Sequence, residues 1–114
     1  MARRKDSSSI KYRIPLHWEK RLDTEVNRRG ISKQMLIHKL IQRFINFNIE
    51  HKNKRYEVFT FSKYDPNVYS VDPYQLEMIE KEAERLGIRY KSHIVALAIM
   101  TQLPTIEKEP IETL

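Results

Sequence analysis

The chain contains no cysteine. Disulfides and thiolate metal sites are excluded, and cysteine usage gives no reading of the redox compartment. Only two glycines occur, Gly30 and Gly87, too few for a glycine-rich loop that cradles phosphates. No apolar run approaches the ~18 residues of a membrane-spanning helix. The opening Met1-Ala2-Arg3-Arg4-Lys5 is basic, but no apolar stretch follows it, unlike a secretory signal. The expected location is cytoplasmic. His17, His38, His51 and His93 show no metal-ligand spacing. Ser7-Ser8-Ser9 has no base nearby in sequence. No catalytic residue, metal or cofactor is expected, and an enzyme is not the expected class.

What is abundant is charge, and it is unevenly placed. The 114 residues carry 21 Lys/Arg and 15 Asp/Glu, a net +6. Residues 1–55 hold 15 of the basic residues against 5 acidic ones, and residues 56–114 hold 6 against 10. The first half should attract phosphate, and the second should not.

The two glycines lie 57 residues apart, and that interval brings out a repeat. It sets Tyr12 against Tyr69, Ile14 against Val71 and Leu22 against Ile79. It sets Glu25 against Glu82, Arg28 against Arg85, Gly30-Ile31 against Gly87-Ile88, and Leu40 against Leu97. The matches fall at the turn and at apolar periodic positions, as expected for one supersecondary unit used twice.

Each copy reads alike. In the first, Ile10, Tyr12, Ile14 and Leu16 alternate with Lys11, Arg13 and Pro15, the period of a strand with one buried face. A helix is predicted over 17–29, with Trp18, Leu22 and Val26 on one stripe. Gly30 ends it, Ser32 caps the next helix, and that helix runs over 33–48. In the second copy the strand is Val68–Val71. Asp72-Pro73 opens a helix reaching Leu86, with Leu76, Ile79, Ala83 and Leu86 inward. A last helix over 90–103 is stopped by Pro104, and its unbroken apolar run from Ile94 to Met100 predicts burial nearly all round. Tyr56–Phe61 reads as an extra strand that could form a hairpin with Val68–Val71. The tails, 1–9 and 105–114, are expected to be poorly ordered.

Strand, helix, Gly30-Ile31-Ser32-Lys33 turn and helix resemble the ribbon-helix-helix superfamily, the group of the Arc and MetJ repressors. The resemblance covers about residues 9–48 and 67–103. The second copy departs from it, with Arg89-Tyr90 in place of Ser-Lys and no basic residue in its strand. The doubled form resembles tandem ribbon-helix-helix regulators of hyperthermophilic archaeal viruses, which would make this a viral protein acting inside a host cell. The expected fold is therefore mainly α with a short β-ribbon, as two tandem β-α-α units that could form a pseudo-dimer within one chain. The expected organisation is a basic arm (1–8), a first unit (9–50), a basic linker (51–66), a second unit (67–104) and an acidic tail (105–114).

The resemblance implies that two strands form an antiparallel ribbon in the DNA major groove, which is wide enough to admit it. With Ile10, Tyr12 and Ile14 inward, Ser9, Lys11 and Arg13 would face bases, and Val68 and Ser70 would do so in the second copy. Arg13 could reach guanine O6 and N7, Lys11 could do so as a point charge, and Val68 could touch a thymine methyl. Lys11 and Arg13 also suit a plainer role, as solvated charges guarding an edge strand. Ser32, Lys33 and Gln34 would clamp a phosphate at a helix start, where an ordinary N-cap is the simpler reading. Arg3, Arg4, Lys5, Lys54, Arg55 and Lys91 complete the candidate phosphate contacts.

Whether the ribbon forms within a chain or between chains is open. A linker of about 16 residues, at roughly 3.3 Å each, reaches either way. The partner expected is double-stranded DNA, with self-association. The function expected is a sequence-specific transcriptional regulator, as a repressor. The alternatives are a less selective DNA-coating protein and an antitoxin-type module whose tail binds a protein.

Overall fold

Alternation of apolar and polar residues gives two short strands, and they pair with each other. The structure, a computed structural model, describes residues 8–51, 56 and 64–111. In chain order the elements are β1 (Ser8–Tyr12), α1 (Leu16–Arg29), α2 (Lys33–Glu50), β2 (Asn67–Val71), α3 (Pro73–Leu86) and α4 (Lys91–Ile106). Among the described residues the chain is mainly helical, with one two-stranded antiparallel sheet. The register sets Ser8 opposite Val71, Ser9 opposite Ser70, Ile10 opposite Tyr69, Lys11 opposite Val68 and Tyr12 opposite Asn67. Ile10, Tyr12, Tyr69 and Val71 are buried on one face of this ribbon.

The helix ends follow local chemistry. Gly30 and Gly87 stop α1 and α3 at φ 66° and 71°, a left-handed conformation that costs a residue with a Cβ about 1 kcal/mol or more. Ser32 Oγ accepts from the Met35 amide at 3.1 Å to start α2. Asp72 Oδ1 accepts from the Gln75 amide at 2.7 Å to start α3, with Pro73 in the first turn. Each cap satisfies an amide that helix geometry leaves without an acceptor.

The core lies where α2 and α4 pack, the most extensive helix–helix contact. Leu36, Leu40 and Phe44 of α2 and Ile94, Val95 and Ile99 of α4 are fully buried there. Each large side chain removed from water in this way stabilises the fold by about 1.5–3 kcal/mol. Ile94 to Ile99 is buried without interruption, so α4 needs neighbours on every side and finds them in α2, α3, β1 and α1. β1 packs on α4, and β2 packs on α2. Each ribbon strand therefore rests on a helix from the other half of the chain.

Several expectations are corrected. β1 ends at Tyr12 rather than continuing to Leu16. The register would next set Arg13 against Pro66, and proline has a fixed φ and no N–H. Leu16 instead begins α1 and is exposed. β2 pairs with β1. The further hairpin expected with Tyr56–Phe61 falls on a segment whose residues 57–61 lie outside the described residues, and Tyr56 is in no strand. Leu76 and Leu86 are only partly buried.

The largest correction concerns the C-terminal end. Pro104 does not stop α4, which runs on to Ile106. A proline inside a helix costs about 3 kcal/mol. Full burial of Leu103 and Ile106 on either side of it offsets that cost. The acidic stretch that follows is docked rather than loose. Arg21 Nε donates to Glu107 Oε2 at 2.9 Å, and Arg43 Nη2 to Glu109 Oε2 at 2.6 Å. Arg29, almost wholly buried, donates to the carbonyls of Ile106 at 2.7 Å and Ile111 at 2.9 Å. Glu25 Oε1 accepts from Arg29 Nε at 2.9 Å, so the buried cation has a buried counter-charge.

Candidate nucleic-acid interface

The face of the ribbon opposite the core is built by parity. Ser9, Lys11, Val68 and Ser70 are all exposed, and the register gathers them as two cross-strand pairs, Ser9 with Ser70 and Lys11 with Val68. Val68 is half exposed, unusual for an apolar strand residue whose neighbours Tyr69 and Val71 are about 1% exposed. The inward tyrosines anchor this surface from beneath. Tyr12 Oη donates to Glu19 Oε1 at 3.3 Å, and Tyr69 Oη donates to Gln75 Oε1. Burial pushes both phenols above their ordinary value, helped by the charge of Glu19 at Tyr12 and of Asp72 at Tyr69. They remain neutral donors and hold the strands at fixed depth.

The expected phosphate contacts fare unequally. Gln34 spends its amide on the ribbon itself. Its Nε2 donates to the Val68 carbonyl at 3.1 Å, and its Oε1 accepts from the Ser70 amide at 2.6 Å. Those backbone groups point away from β1, so Gln34 closes the open edge of β2 that would otherwise invite another strand. Its side chain is a clip on the backbone of β2. The Lys33 ammonium is held by Glu19 and, at 3.4 Å, by Asp23, and these carboxylates raise its pKa against the effect of burial. Its charge is thereby balanced within the chain. Ser32 is an N-cap, and helix geometry leaves the first-turn amides of Lys33 and Gln34 without an intrahelical acceptor.

At the start of α4, Lys91 Nζ lies 3.5 Å from Glu80 Oε2. Arg89, exposed with its guanidinium 5.4 Å from the Tyr90 ring, sits beside it. The 57-residue interval places Arg89 level with Ser32. Arg13 lies just beyond β1 and is partly buried, and its Nε is buried with no hydrogen-bond partner. Arg3, Arg4, Lys5, Lys54 and Arg55 lie outside the described residues.

The uneven charge along the sequence is partly cancelled in space. Arg21, Arg28, Arg29 and Arg43, all from the basic half, engage Glu25, Glu107, Glu109 and backbone carbonyls around 106–111. Lys11, on the ribbon's outer face, has no such partner among the described residues. Among the described residues no group of three or more His, Asp or Glu gathers as metal ligands would. No helix among them is long and apolar enough to cross a membrane.

The chain matches no family model, no curated protein and no solved structure.

Proposed function

We propose that this protein is a sequence-specific DNA-binding regulator of transcription, and that it places the β1–β2 ribbon in the major groove. One observation carries the reading. A two-stranded ribbon exposes Ser9, Lys11, Val68 and Ser70 on a single face while its other face is locked into the core. These are groups that can bond to base edges or touch a thymine methyl, on an element that fits a groove about 12 Å wide. The starts of α2 and α4 add helix-end amides that position phosphates without reading sequence.

The finer architecture in this reading is two tandem ribbon-helix-helix units folded as a pseudo-dimer. Its support is the 57-residue interval. Moved by that interval, Leu16–Arg29 becomes Pro73–Leu86, the bounds of α3, and Gly30 becomes Gly87. The partner-binding alternative has less support, because arginines hold the tail as far as Ile111. Repression, rather than activation, follows from occupancy alone if the site overlaps a promoter.

The test compares wild type with Lys11→Ala/Arg13→Ala on DNA upstream of the protein's own gene and on a scrambled duplex, across a salt series. The wild type should prefer its own site. The double variant should lose that preference and keep salt-dependent background binding. Equal binding of both duplexes by both proteins would instead describe a coating protein.

A further inference from the structure

We infer that a single chain recognises a DNA site lacking two-fold symmetry, with guanine acceptors under the β1 half and a thymine methyl under the β2 half. This rests on the DNA-binding reading above. Two strands from identical chains would present the same residues to both halves of a site, and the matching DNA would be palindromic. Here both strands come from one chain, and they differ.

The geometry fixes where they differ. Lys11 and Val68 are directly opposed, and they are also 57 residues apart, so they are counterparts as well as partners. The axis that exchanges the two halves of the ribbon therefore passes through this pair. The same exchange relates Arg13 to Ser70. Across the axis an ammonium faces an isopropyl group, and a guanidinium corresponds to a hydroxyl. Lysine and arginine favour guanine O6 and N7, while valine offers only apolar contact, suited to the thymine methyl. The flanking helices differ in the same sense. α2 starts with a serine cap and a lysine balanced by Glu19 and Asp23, and α4 starts with Arg89 and Tyr90 and no side-chain cap.

At β2, a second chain would have to displace Gln34 to pair with this ribbon. The inner edge of β1 is paired with β2, its buried face rests on α4, and the outer edge of β2 is clipped by Gln34.

The experiment is selection of duplexes from a random pool by the full chain, followed by native mass spectrometry of the complex. The expected result is an enriched non-palindromic core bound by one chain. Two symmetrised duplexes, each duplicating one half of the core, should bind about tenfold or more weakly than the parent. Val68→Lys, at a half-exposed position, should bind the guanine-duplicated duplex better than wild type does. An enriched palindrome bound by two chains, or a symmetrised duplex as good as the parent, would overturn the inference and leave DNA reading intact. A pool that shows no enrichment would overturn both.

Discussion

Lys11 and Val68 face each other across the ribbon, and the interval between them in sequence is the one that separates Gly30 from Gly87. A pairing register and a repeat interval are independent quantities. Their agreement means that exchanging the two halves of the chain keeps the Lys11–Val68 pair in place and swaps the Ile10–Tyr69 pair with the Tyr12–Asn67 pair. The two left-handed glycines show the same correspondence at the other end of the first helix in each half.

That arrangement has a consequence for half of the chain. β1 rests on α4 and β2 on α2, so neither half contains a seat for its own strand. A fragment of residues 1–50 should be unfolded as a monomer or fold only by pairing with a second copy. Circular dichroism with analytical ultracentrifugation checks this. A stable, folded monomer of the fragment would contradict the interleaved packing.

Arg29 should matter more to stability than any other arginine among the described residues. Its side chain is 1% exposed and that of Glu25 is 4% exposed. Removing one partner of a buried pair strands the other, at about 3–5 kcal/mol. Arg28 also bonds to Glu25, at 2.9 Å through both Nε and Nη2, so Arg29→Ala is expected at the lower end, about 3 kcal/mol. The same change removes the Arg29 bonds to the carbonyls of Ile106 and Ile111, while Ile106 keeps its bond from Arg28 Nη2 at 3.3 Å. Urea titration reads the first effect, and faster amide exchange or proteolysis near residues 106–111 reads the second.

Stability should also fall in acid, in two stages. Burial holds the His93 imidazole below its ordinary value of 6.5. A group depressed in this way supports the fold fully above 6.5 and loses that support as pH falls towards its lowered value. Hydrogen bonding by Arg28 first, and then by Arg29, holds the Glu25 carboxyl below its ordinary 4.5, against the opposing effect of burial. Its contribution is complete above 4.5 and is lost as pH falls further. A plot of Tm against pH should bend below 6.5 and again below 4.5. His93→Phe should remove the first bend, and Glu25→Gln should weaken the second.

Much of the fold was legible because it is written locally. Period-two alternation around Tyr12 and Tyr69, four-residue spacing through Leu22, and caps at Ser32 and Asp72 place the elements within a few residues of their observed bounds. The continuous apolar run from Ile94 marked α4 as central for the same reason. The C-terminal docking was not legible. Glu107 finds Arg21 across 86 positions and Glu109 finds Arg43 across 66. No periodicity in a single sequence reports pairs that distant.

The outer face of the ribbon was legible through parity alone, since Ser9, Lys11, Val68 and Ser70 follow from Ile10, Tyr12 and Tyr69 being inward. The intrachain partners of Gln34 and Lys33 were not legible, because they come from elsewhere in the chain. Gln34 reaches the backbone of Val68 and Ser70, and Lys33 reaches Glu19, 14 residues earlier. A charged or amide side chain at a helix start looks available until the surrounding fold is known.

The most direct test of the central claim is methylation interference on the selected DNA site. A methyl group on guanine N7 blocks the major-groove edge without changing base pairing. The account predicts that methylating a guanine beneath the ribbon weakens binding by about tenfold or more, and that Lys11→Ala abolishes most of this sensitivity. Binding that is indifferent to N7 methylation at every guanine of the site would contradict insertion of the ribbon into the major groove.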